Sequence, residues 1–176
     1  MNKILSELEP AFSEALQRSI EQTEATYGVR MVPYMGIRDP YEQAALWRQS
    51  RGTYRIQKEI NSLKSSDAQY LAHVIETVGP KDGPWATNAI PGKSWHQWGQ
   101  AADLYWSRDE DQDGAFTPEW NDLSGYRVFA EVCRVNGLTS GYFWRSRDAV
   151  HVQLSKDSSP RYSIKEISDQ MEARFE

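Results

Sequence analysis

The stretch Ser94-Trp95-His96-Gln97-Trp98-Gly99-Gln100-Ala101-Ala102-Asp103 places a histidine and an aspartate seven residues apart around a glycine. A second histidine lies far downstream, in Asp148-Ala149-Val150-His151-Val152-Gln153. Two imidazoles and one carboxylate make a three-ligand set. A catalytic zinc takes such a set and leaves a position open to water. Asp148, three residues before His151, is the candidate base for that water. The chain has three histidines and two fall in this pattern. The third, His73, sits in a helical stretch and is not expected to be a ligand. A His-x6-Asp pair alone is a weak signal; the conjunction with Ser94, Gly99, Ala101 and the Asp148/His151 pair carries the argument.

These residues must be positioned by elements, and the pattern predicts which. Residues 3–26 repeat apolar residues at helical spacing (Ile4, Leu8, Phe12, Leu16, Ile20), with Pro10 a potential break and Gly28 the end. Residues 29–35 read as a strand. Asp39-Pro40 starts a helix running to about Gln49, with the Asp as N-cap. Residues 55–78 are helical in two stripes divided near Ser65-Ser66. Residues 79–92 form a loop holding Pro80, Gly83, Pro84 and Pro91. Strands are expected over 101–106, 140–144 and 149–154, with a helix from Ser124 to about Asn136. The class is α+β, with a small, mainly antiparallel sheet flanked by helices. On strands, side chains alternate faces. Asp103 then shares a face with Ala101 and Tyr105, and His151 with Gln153. Neighbouring strands would let Asp103 and His151 meet one metal, with His96 reaching in from the turn before.

The pattern Ser-x-His-x-x-Gly-x-Ala-x-Asp, followed by an acidic residue three before a final His, resembles the zinc D-Ala-D-Ala carboxypeptidase and L-alanyl-D-glutamate endopeptidase family. Gly36-Ile37-Arg38-Asp39 is similar to the family's Gly-Tyr-Arg-Ser element. Gln43, Leu46-Trp47, Thr87, Gly92, Ser94 and Trp144 also stand where its endopeptidase branch carries them. The resemblance covers about residues 30 to 155. Residues 1–28, much of 53–84 and the last twenty lie outside it. It implies a Hedgehog/DD-peptidase-like fold, zinc ligands at His96, Asp103 and His151, a catalytic carboxylate at Asp148 and a substrate-orienting guanidinium at Arg38. Asp148 stands where many members carry Glu, which favours the endopeptidase branch. Arg38 suits bidentate contact with a substrate carboxylate or a developing oxyanion, against a plain structural ion pair. Ser94 is expected to orient His96 or to hydrogen-bond the peptide. Trp95 and Trp98 suit either a groove lining or packing.

A second metal is suggested by Asp109-Glu110-Asp111-Gln112-Asp113-Gly114, the opening of a calcium loop. Asp109, Asp111, Asp113 and Glu119 are its candidate ligands. The twelfth position is Trp120, so the loop is irregular, and an acidic solvated turn is the alternative.

Composition narrows the class. A chain of 176 residues is expected to be one zinc peptidase domain, with a helical N-terminal segment 1–28 and a helical insertion at about 53–84. The net charge of −5 argues against a nucleic-acid surface. No apolar run approaches the ~18 residues that span a bilayer. The single cysteine, Cys133, excludes an internal disulfide and reads as a buried structural thiol. The N-terminus lacks a signal-peptide pattern. The expectation is synthesis in the cytoplasm and action on the wall after release, as in a phage endolysin.

The expected function is zinc-dependent hydrolysis of peptide bonds in peptidoglycan stem peptides, foremost as an L-alanyl-D-glutamate endopeptidase and a monomer. The alternatives are a D-Ala-D-Ala carboxypeptidase or dipeptidase, and a non-catalytic zinc module that binds wall peptide. Manganese or cobalt fit the same ligands.

Overall fold

The computed structural model describes residues 3–109 and 114–176. The chain forms two compact units, Met1–Ile37 with Gly99–Lys156 and Arg38–Trp98 with Asp157–Glu176.

The first unit is a sheet with helices on one face. α1 (Lys3–Glu7) and α2 (Pro10–Tyr27) are separated where Pro10 begins the second helix, and the Glu9 side chain accepts the Phe12 N–H there. A proline tolerates only the first turn of a helix, so it divides the apolar repeat in two. β1 (Arg30–Met35) pairs with β2 (Ala101–Arg108), and β2 pairs on its other side with β5 (His151–Gln153), all antiparallel. β4 (Thr139–Ser140) extends the sheet beyond β5, and β3 (Thr117–Glu119) pairs with the far end of β2. α6 (Ser124–Val135) joins α1 and α2 over the apolar face. Ala102 and Leu104 of β2 and Val152 of β5 enter that core, against Phe12, Leu16 and Phe129. The alternate residues, Asp103 and His151 among them, therefore take the opposite face. Cys133 lies in the core, and burial pushes its thiol pKa up, so it is a packing residue and not a nucleophile.

The second unit is helical. α3 (Pro40–Arg48) starts on a capping box, Asp39 accepting from Tyr41 and Glu42 while the Glu42 side chain accepts the Asp39 N–H. The two stripes expected over 55–78 are two helices, α4 (Thr53–Ser65) and α5 (Gln69–Val78), divided where the sequence placed the break, and Asp67 between them is left-handed at φ 57°. α7 (Ile164–Phe175) sets Ile167 and Met171 against Leu71 and Ile75 of α5 and Trp47 of α3. α4 and α5 thus supply most of this core.

Two expectations need correction. Residues 140–144 are not a strand: pairing stops at Ser140, whose hydroxyl accepts the Tyr142 N–H and opens a 3-10 turn over Gly141–Phe143. The last strand is shorter than 149–154, covering His151–Gln153 alone.

Candidate metal centre

Asp103 and His151 face each other as a register pair between β2 and β5. His151 Nδ1 lies 3.1 Å from Asp103 Oδ1, with both side chains nearly buried. Nε2 of the same ring lies 3.0 Å from Gln153 Oε1. Burial opposes a charge on the ring. The Asp103 hydrogen bond and charge, then Gln153 and the Asp148 charge, outweigh it, so the His151 pKa stands above its usual value. Trp144 packs on the ring at 5.1 Å between centroids.

His96 sits in a 3-10 turn, Trp95–Trp98, that ends before Gly99. Gly99 has φ 69°, a conformation only glycine takes without strain, and β2 starts two residues later. The Ser94 hydroxyl accepts the His96 backbone N–H at 3.4 Å, which suits the role of orienting His96. His96 is 2% exposed.

One ligand atom from each of His96, Asp103 and His151 lies within 4.8 Å of the other two. Among the described residues this is the one such group of histidines, cysteines and carboxylates. Donors at about 2.0–2.2 Å from one ion sit roughly 3.4 Å apart, inside the 4.8 Å that bounds this group. Burying two imidazoles and a carboxylate together is costly unless something shares their lone pairs, and a divalent cation does so. The set fits zinc.

Asp148 is held by its backbone. Its N–H donates to the Gly141 carbonyl at 2.9 Å, and its carbonyl accepts from His151 N–H at 3.3 Å. A methyl group added at Gly141 would stand 2.5 Å from the Asp148 carbonyl oxygen, so the two segments touch only because residue 141 has no side chain.

Arg38 belongs to an amide network in the second unit. Its Nη1 donates to Gln43 Oε1 at 3.1 Å. Gln43 Nε2 donates to the Ala89 carbonyl at 2.8 Å, and Gln97 Nε2 reaches the Arg38 carbonyl at 3.3 Å. Gln97 Oε1 accepts from Ser94 N–H at 3.3 Å. Both glutamines are fully buried. They tie α3, the loop before His96 and the His96 turn together. Gln97 is a site residue the pattern does not reveal, because an uncharged amide leaves no periodic or spacing signal; alternation places Gln153 on the His151 face but assigns it no role.

Other candidates fall elsewhere. Trp95 donates its indole N–H to the Asp157 carbonyl, and Trp98 to the Gly92 carbonyl while stacking on Tyr162, so both are packing residues. His73 contacts Thr77 on an exposed helix face and is outside the group. Of the calcium-loop candidates, Asp111 and Asp113 lie outside the described residues. Asp109 accepts from Gly114 N–H at 3.0 Å. The Glu119 carboxylate accepts from Asn121 and Asp122, and these backbone bonds lower its pKa. Both carboxylates hold turns in this conformation.

The sequence matches the family described as VanY: D-alanyl-D-alanine carboxypeptidase over residues 5–153. Two solved structures are similar. One is the L-Ala D-Glu endopeptidase ChiX of Serratia marcescens, at 18% identity over 87% of this chain and 84% of that one, with a TM-score of 0.41. The other is a mutant of the vancomycin-resistance D,D-pentapeptidase VanY from the VanB-type cassette, in complex with Zn(II). It shares 18% identity over 96% of this chain and 84% of that one, with a TM-score of 0.47. No curated protein matches the sequence.

Proposed function

We infer the specific activity from one premise: the chain belongs to the VanY D-alanyl-D-alanine carboxypeptidase family and is a metallopeptidase of peptidoglycan. The proposal is zinc-dependent hydrolysis of stem-peptide bonds, at the L-alanyl-D-glutamate bond. The close His96-Asp103-His151 group carries the reading.

His96, Asp103 and His151 would hold the zinc. Bound there, zinc would acidify an attacking water and polarise the scissile carbonyl. Asp148 accepts the proton of that water and returns it to the leaving amine. Arg38, steadied by Gln43, holds a substrate carboxylate or the developing oxyanion. Ser94 keeps the His96 turn in place. Asp at position 148, as in the endopeptidase branch that the sequence resembles, favours this bond.

The family description favours a second reading, removal of the terminal D-alanine. Two synthetic substrates separate them: a muramyl peptide containing L-Ala–D-Glu, and a pentapeptide ending D-Ala–D-Ala. Cleavage of the first with the second intact supports the endopeptidase. Release of D-alanine from the second alone assigns the carboxypeptidase. Zinc-loaded protein that cuts neither would be a binding module.

A further inference from the structure

Gln153 lies inside the sheet, facing Ala101 of β2 on one side and Thr139 of β4 on the other. The residue is 2% exposed. The amide nitrogen donates to the Ser155 carbonyl at 2.7 Å. A carbonyl only accepts, so the nitrogen end of the amide belongs there and the oxygen end points the other way. That oxygen is the atom 3.0 Å from His151 Nε2. An amide oxygen also only accepts, so Nε2 carries a hydrogen. Nδ1 is the nitrogen 3.1 Å from Asp103 Oδ1. The Asp103 carboxylate also only accepts, so in the metal-free ring Nδ1 donates as well; a metal would take the place of that proton, because Gln153 keeps the one on Nε2.

We propose that Gln153 is a positioning residue for the metal centre. The Ser155 carbonyl orients its amide, and the amide oxygen selects the His151 tautomer that offers Nδ1 as the metal-binding atom beside Asp103. The proposal rests on the zinc reading of the site. A ligating imidazole whose remote N–H is hydrogen-bonded has its ring orientation fixed and its basicity raised. Gln153 does this two residues along the same strand, so ligand and support share one rigid element.

Two measurements test it. Long-range proton–nitrogen NMR of the zinc-loaded protein identifies the state of each ring nitrogen. The expected spectrum has His151 protonated at Nε2 and metal-bound at Nδ1; a proton on Nδ1 overturns the proposal. Zinc affinity is then measured by competition with a chromogenic chelator in wild type, Gln153→Leu and Gln153→Glu. The leucine variant removes the acceptor, and its affinity is expected to fall about 10–100-fold. The glutamate variant keeps an acceptor for Nε2 but loses the donor to the Ser155 carbonyl, so its affinity is expected to lie between those of the leucine variant and wild type. Undiminished affinity in Gln153→Leu contradicts the role, whatever its melting temperature. Should that variant fail to fold, the wild-type spectrum still decides. Wild-type protein that binds no zinc would instead remove the zinc reading beneath the proposal.

Discussion

Asp148 is the residue on which the chemistry turns. Its segment is held by Gly141 and by the His151 N–H, and its side chain is outside the three-residue ligand group. Asp148→Asn is therefore expected to keep zinc and to lose roughly 10²–10⁴-fold in turnover, the usual contribution of a positioned base. Isothermal zinc titration and a rate assay on one preparation check this, and unchanged turnover would remove Asp148 from the mechanism. His151 makes a separate prediction about pH. Its folded pKa is raised, so in metal-free protein its contribution to stability is full below the unfolded value of about 6.5 and is lost as pH climbs through the folded value. Zinc must displace the proton that this environment favours, so zinc affinity should rise with pH across the same window. Melting of metal-free and zinc-loaded protein from pH 5 to 8 reads both trends, and a zinc-induced shift that does not grow with pH would contradict them.

At the scale of elements, the contact between the Gly141 turn and Asp148 is the one a single methyl group breaks. Gly141→Ala should push Asp148 away and lower turnover by at least about tenfold, since small misplacements of reacting groups are costly. Circular dichroism is expected to be unchanged; full activity would show that the turn adapts. The same turn marks the limit of sequence reading. Residues 140–144 have strand-like composition, yet the Ser140 hydroxyl captures the next turn's N–H, and such local bonds compete with a ladder. The long helices were legible because α2, α4, α5 and α6 repeat apolar residues at helical spacing over ten or more positions. β2 and β5 were legible in their alternation, which put Asp103 and His151 on one face and predicted their meeting. α7 also carries a readable start, the Ser163–Glu166 capping box, with Ile167 and Met171 at helical spacing behind it. β3 has no alternation to read, because three residues around Pro118 are a strand only through pairing with β2. The amides of Gln43, Gln97 and Gln153 gain meaning from partners distant in sequence or from the orientation of one oxygen, neither of which a linear pattern displays.

On the scale of the whole molecule, each unit has its own core. Phe12 is fully buried in the first and Leu71 in the second. Phe12→Ala and Leu71→Ala are each expected to cost about 2–5 kcal/mol, read by chemical denaturation. The segment expected to be an insertion at 53–84 supplies Ile60, Leu71 and Ile75 to the second core, so it is a structural part of that unit. Its deletion should abolish cooperative melting, and a deletion variant that melts like wild type would contradict this. The net charge of −5 gives no general attraction to an anionic wall. The most direct test is mass spectrometry of fragments released from purified peptidoglycan, with and without a zinc chelator. The account predicts new N-terminal D-glutamate that disappears on chelation and returns with added zinc; fragments that persist in the presence of chelator, or no fragments from folded, zinc-loaded protein, would contradict it.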